Sequence, residues 1–279
     1  MAKQNIDWAN LSFGYIPTGE RYVSYFKDGK WDDGEMTTVA TITMSECAGV
    51  LQYAQTVFEG LKAYTTVDGK IVVFRPDLNA SRLVDSAKRL EIPPFPEDRF
   101  IEAVEKVVKA NADYVPPYGT GATLYLRPFI FGQNAVIGVK PADEYQFRLF
   151  ATPVGPYFKG GANFLFITKD GKVVTPKSNS ILPSITRRSL MYVAEKYLGL
   201  EVEQREVYFD EVKDFAECGL CGTAAVISPV GKIVDHGKEI CFPAGMEEMG
   251  PITKKLYDTL TGIQMGRIEA PEGWIREIC

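Results

Sequence analysis

Histidine is almost missing from this chain. A single residue, His236, serves all 279 positions, and it sits in a polar Asp-His-Gly turn. That sets aside a histidine-based triad or a His-rich metal site. Cysteine is scarce and odd in number: Cys47, Cys218, Cys221, Cys241 and Cys279. An odd count at long spacings argues against a secreted disulfide framework. The pair Cys218-x-x-Cys221 invites a metal or redox reading. However, a structural zinc needs four ligands and no second pair follows, and the pair lies in a Gly-rich turn instead of between a strand and a helix. No metal is expected. Net charge is −5 and no basic run stands out, so nothing points to nucleic acid. No apolar run is long enough to span a membrane, and the first residues have no apolar core of signal-peptide length. The expectation is a cytoplasmic enzyme.

What is present is ordinary for a globular chain: 46% hydrophobic and 24% charged residues. The length suits two modest domains or one large one. β-Branched and aromatic residues predict strands over 21–26, 37–44, 61–66 and 70–74, the last two joined by a hairpin at Val67-Asp68-Gly69. Apolar spacing predicts helices near 78–90, where Leu83, Ala87 and Leu90 share a face, and near 97–113. A strand over 123–130 places Tyr125 and Arg127 on one face, which fits recognition of a carboxylate, or a solvated face. Another strand is expected at 145–154. The second half reads as a hairpin (164–168 and 172–174 around Asp170-Gly171), a strand over 202–207 and a short helix over 209–216. A turn at Gly222-Thr223-Ala224 then enters a strand over 225–228, a strand over 230–234 continues that sheet, and a last helix spans 252–260.

The segment Ser180-Ile181-Leu182-Pro183-Ser184-Ile185-Thr186-Arg187-Arg188 reads as a tight loop opening a helix that stops at Gly199. Ser184 is a plausible N-cap. The amides of Ile185 and Thr186 would then face outward at the positive end of the helix dipole, where phosphate binds. An ordinary capped helix is the plain alternative.

Six segments in order resemble the branched-chain aminotransferases, pyridoxal 5'-phosphate enzymes of fold type IV. They are Tyr53–Gly60 (YAQTVFEG), Asn79–Leu83 (NASRL), Leu124–Pro128 (LYLRP), Val154–Phe158 (VGPYF), the ILPSITR loop, and Cys221–Ala225 (CGTAA). The resemblance covers nearly the whole chain. It implies a mixed α/β fold with a small N-terminal domain (1–154), a linker (155–163) and a larger cofactor-binding domain (164–279). It implies a homodimer, and transfer of the amino group of leucine, isoleucine or valine to 2-oxoglutarate. By the same resemblance, Arg82, Leu182, Ile185, Thr186 and Thr223 bind the cofactor. Tyr53, Phe58, Tyr125, Arg127 and Ala224 bind the substrate, with the Thr223 and Ala224 amides on its carboxylate.

The chain departs from the family in one place. The family carries, between its VGPYF strand and the next hairpin, a lysine that forms the Schiff base and a glutamate for the pyridine nitrogen. Here VGPYFKGG runs directly into ANFLF, and that segment is missing. Lys159 superficially resembles the family lysine, yet its neighbours match the flank upstream of the missing part, so it reads as a loop lysine. Either a stretch is omitted from the sequence or the deletion is real; the intact flanks favour omission. Two other readings stay open. One is a non-catalytic relative that binds the cofactor, phosphate or a partner. The other is a fold type IV enzyme of different chemistry, such as a D-amino acid aminotransferase or an aminodeoxychorismate lyase.

Overall fold

The protein is described by a computed structural model that covers residues 3–156 and 163–279. Lys159 and the Gly160–Ala162 junction lie outside the described residues. The chain divides into two compact units, residues 1–155 with 271–279, and residues 156–270.

In the first unit the strands are β1 (Arg21–Lys27), β2 (Lys30–Trp31) and β3 (Glu35–Thr37). A short helix, α1 (Gly49–Tyr53), precedes β4 (Thr56–Phe58), β5 (Leu61–Thr65) and β6 (Ile71–Phe74). Helices α2 (Pro76–Arg89) and α3 (Glu97–Ala110) come next, then the long hairpin of β7 (Thr123–Gly132) and β8 (Tyr145–Val154). These strands lie in one nine-stranded sheet. Pro76 opens α2 at its first turn, where no amide is needed, Asp77 sits at the positive end of the dipole, and Lys88 and Arg89 close the helix. Ala80, Leu83 and Ala87 form its buried stripe.

Alternation along the strands gives this sheet two unlike faces. Leu124, Leu126, Ile130, Phe147 and Leu149 join one apolar core with Leu83, Phe100, Val104 and Val107 from the helices. Phe95 and Phe147 stack within it at 3.9 Å. The intervening residues of β7, Tyr125, Arg127 and Phe129, stand on the other face.

The second unit holds β9 (Asn163–Ile167), β10 (Val173–Pro176), α4 (Ile185–Lys196), β11 (Val202–Arg205), β12 (Glu217–Gly222) and β13 (Val226–Pro229). Its sheet order is β11-β10-β9-β12-β13, and only β10 and β11 pair in parallel. Helix α4 is the crossover that parallel pairing requires. Strands β14 (Lys232–Asp235) and β15 (Lys238–Cys241) precede α5 (Pro251–Gln264). The chain ends in β16 (Ile275–Glu277), which pairs with β6 in the first unit.

Three sequence expectations are corrected. Of the strand expected over 37–44, only the start pairs, as the end of β3, because the ladder on β1 stops at Arg21↔Thr37. The strand expected over 230–234 does not continue the sheet; β14 folds onto β15 as a separate hairpin through His236 (φ 47°) and Gly237 (φ 81°). Consecutive positive φ values are what a two-residue hairpin turn demands. Finally, residues 271–279, expected in the second domain, belong to the first unit.

Candidate active site

In the first unit the sheet face opposite the helices gathers three of the expected substrate residues. Arg127 donates from Nη2 to the Tyr125 hydroxyl at 3.0 Å. Its guanidinium lies 4.5 Å from the centroid of the Phe58 ring. The Nε–H of Arg127 is buried with no hydrogen-bond partner among the described residues. The cation is thus desolvated by aromatic surface and keeps a donor to spare, a combination that favours a carboxylate. Phe58 itself is 61% exposed. Gly60 lies directly beneath the Tyr125 hydroxyl, in the space a Cβ would fill, so only glycine admits the tyrosine there. Tyr53 is not brought into this group. It ends α1, where its hydroxyl donates to the Ile137 carbonyl.

Two further buried residues were not singled out in the sequence: Lys62 on this face, and Glu59 on the opposite side, turned towards α2. Lys62 pairs with Tyr125 across β5 and β7 and is buried. Burial brings its amine down from 10.5 to about 8. Glu59 is buried and accepts from Arg82 Nε at 2.6 Å, from Arg82 Nη2 at 2.7 Å and from Asn79 Nδ2 at 2.7 Å. Asn79 and Arg82 are three apart on α2, hence on one helix face. Arg82, expected on the cofactor phosphate, therefore already holds a carboxylate in a bidentate pair. That spacing, read against the Glu59-Gly60 dipeptide, was the available signal.

In the second unit α4 begins where the sequence placed it. The Ser184 hydroxyl accepts from the Arg187 amide at 3.1 Å, which is the N-cap bond. The amides of Ile185 and Thr186 donate to no acceptor among the described residues, and both residues are 6% exposed. Leu182 in the preceding loop is 51% exposed. Thr223 and Ala224 are half-buried in the turn between β12 and β13, and α4 packs against β12. That turn closes on Val226, a β-branched residue at φ 63°. Such backbone strain concentrates at functional turns.

Two residues near the start of this unit's sheet and helix carry buried polar atoms with no partner among the described residues: Arg187 Nε on α4 and both side-chain atoms of Asn163 on β9. Cys221 links the two. Its Sγ reaches the Asn163 carbonyl at 3.4 Å, and the Arg187 charge acts on its thiol. Burial pushes the thiols of Cys218 and Cys221 up to about 12. Three residues apart on β12, they point to opposite faces and cannot join in a disulfide or share a metal. Among the described residues no group of three or more His, Cys, Asp or Glu could hold a metal ion.

The residues therefore fit one end of a phosphorylated cofactor. Two free amides at the start of a 12-residue helix form an anion site. For the other end, no lysine among the described residues of the second unit is buried; each is exposed or half-exposed.

Comparison with known proteins bears on this arrangement. The amino-transferase class IV family matches residues 160–233. The branched-chain-amino-acid aminotransferase of Haemophilus influenzae is 43% identical, with 99% of each chain covered. That of Helicobacter pylori is 40% identical over 99% of this chain and 98% of its own. The alignment with the Haemophilus protein runs over 342 positions against 279 residues here, so the relative carries residues with no counterpart in this chain. Among solved structures, the Escherichia coli branched-chain amino acid aminotransferase superposes with a TM-score of 0.75 at 24% identity, covering 92% of this chain and 99% of that one. The mixed α/β fold is thus that of the fold type IV aminotransferases. A relative this similar over its full length settles membership: the chain belongs to the branched-chain aminotransferase family of class IV aminotransferases.

Proposed function

We propose that this protein transfers the amino group of leucine, isoleucine or valine to 2-oxoglutarate with pyridoxal 5'-phosphate as cofactor, acting in the cytoplasm as a homodimer. The observation that carries the substrate side is the buried, unpartnered Nε–H of Arg127 beside the Tyr125 hydroxyl. This pair binds and orients a carboxylate, and the exposed ring of Phe58 offers apolar surface to a branched side chain. The amides of Ile185 and Thr186, with Thr223, hold the phosphate, and Leu182 packs on the ring. The amides of Thr223 and Ala224 supply a second carboxylate contact. The cofactor, when bound, supplies the carbonyl that takes up the amino group and the electron sink that acidifies Cα.

A second reading rests on its own observation, the lack of a buried lysine in the described part of the second unit. In that reading the chain binds the cofactor through its phosphate alone. One experiment separates the two. The full chain is incubated with pyridoxal phosphate, L-leucine and 2-oxoglutarate, and glutamate is measured, with D-alanine as control donor. Glutamate from L-leucine only supports transamination. Reversible cofactor binding without glutamate, and without a borohydride-fixed pyridoxyl group on any lysine peptide, supports the second reading.

A further inference from the structure

The first unit contains a cavity of about 320 Å³ that Arg127 does not line. Its walls are largely apolar, with Tyr15, Ile42, Phe129 and Phe150 contributing most. Its charged lining consists of Arg21 and Arg148, which are 6% and 7% exposed. Both stand on the sheet face opposite the helices, because the β1–β8 register pairs Val23 with Arg148 and so puts Arg21 one two-residue step away.

Among the described residues, every acceptor of these two cations is neutral. Arg21 donates from Nη2 to the Thr18 carbonyl at 3.1 Å, and its Nε–H is buried without a partner. Arg148 donates to Gln146 Oε1 at 3.2 Å and to the Val39 carbonyl at 3.0 Å. Among the described residues neither forms an ion pair. Buried charges are ordinarily paired, because desolvation otherwise costs several kcal/mol. Burial lowers the pKa of Arg148, and the charge of Arg21 lowers it further, against an opposing effect of Tyr25. Two adjacent guanidiniums at the edge of an aromatic cavity lack only an anion with an apolar body. The volume is that of a small-molecule site, which typically joins apolar walls to a few fixed polar groups.

We propose that this cavity binds a small organic monocarboxylate, with its carboxylate held between Arg21 and Arg148 and its apolar body against Phe129 and Phe150. The same carboxylate chemistry has two sources, a free acid or an acidic side chain of a second copy of the chain.

Calorimetric titration with phenylacetate of the full chain carrying Arg127→Met, which removes the carboxylate subsite of the proposed function, tests the proposal. One saturable site per chain is expected, absent with the neutral isostere phenylacetamide. In that background Arg21→Met and Arg148→Met are each expected to weaken binding at least tenfold. Arg148→Met is also expected to melt no lower than the parent, since it removes one of two like charges. If the methionine variants do not fold, Arg21→Lys and Arg148→Lys keep the charge, lose the planar fork and are expected to weaken binding. Sedimentation identifies the source. A mass that falls in phenylacetate and in Arg148→Met assigns the carboxylate to a second copy; an unchanged mass with saturable binding assigns it to the free acid. Failure of phenylacetate to bind together with an unchanged mass in Arg148→Met overturns the proposal. So does equal binding of phenylacetamide, or binding that Arg21→Met and Arg148→Met both leave unchanged. None of these outcomes depends on aminotransferase turnover.

Discussion

Arg127 and Lys62 show what a single side chain contributes here. The Arg127 cation has aromatic rings where solvent would be, so its spare donor is most valuable to an anion arriving from water. Replacing it with methionine is expected to remove about 2 kcal/mol of carboxylate binding, roughly 30-fold in kcat/KM for L-leucine. A steady-state comparison of the two proteins checks this. Lys62 makes a prediction about pH. Its folded pKa of about 8 lies below the 10.5 of the unfolded chain. Between those values the unfolded state binds the extra proton, so stability rises with pH across that window. Urea melts at pH 7.5 and pH 10 are expected to show the rise, and Lys62→Met is expected to flatten it. A buried lysine cannot be recognised from Leu-Lys-Ala-Tyr alone, since the strand pattern does not say which face will be covered.

At the scale of elements, the N-terminus of α4 was fully legible. A serine before Ile-Thr-Arg, ahead of an apolar period, places the cap, and the Ser184–Arg187 bond is the result. Ser184→Ala is expected to cost about 1 kcal/mol in denaturant unfolding. The start of α2 was less legible. Its Asn79–Arg82 face meets Glu59 from a different strand, and nothing local announces that three-donor cluster. Removing either partner leaves a buried charge. Glu59→Gln and Arg82→Met are each expected to destabilise by about 3 kcal/mol, and the double variant by less than their sum, as a double-mutant cycle in urea would show. The strand expected over 37–44 failed for a related reason. Its β-branched residues suit a strand, but a strand also needs a neighbour, and the ladder on β1 ends at Thr37. Beyond it, the Val39 carbonyl accepts from Arg148 instead of from a strand.

At the scale of the whole molecule, the last residues of the chain complete the sheet of the first unit. Ile275 pairs with Phe74, and Ile278 joins the core. Trp274 packs edge-on against Phe74, and the Arg75 guanidinium lies 4.4 Å from its ring centroid. Deleting residues 271–279 bares β6 as an edge and removes buried apolar area. The melting transition of the first unit is expected to fall by several degrees in calorimetry, and the new edge to promote aggregation.

The sequence by itself determined the local elements and the family. Alternation, helical spacing, caps and Gly turns act over a few residues, and six motifs in order are a linear signal. It also determined that Tyr125 and Arg127 share a face, because that follows from the period of a strand. Tertiary structure alone decided which face is buried, and hence that Lys62, Arg21 and Arg148 are desolvated cations, that Arg82 is clamped by Glu59, and that β14 leaves the sheet. Those outcomes depend on contacts between residues tens to hundreds of positions apart, and desolvation is a property of the packed surroundings that no residue carries in its own name.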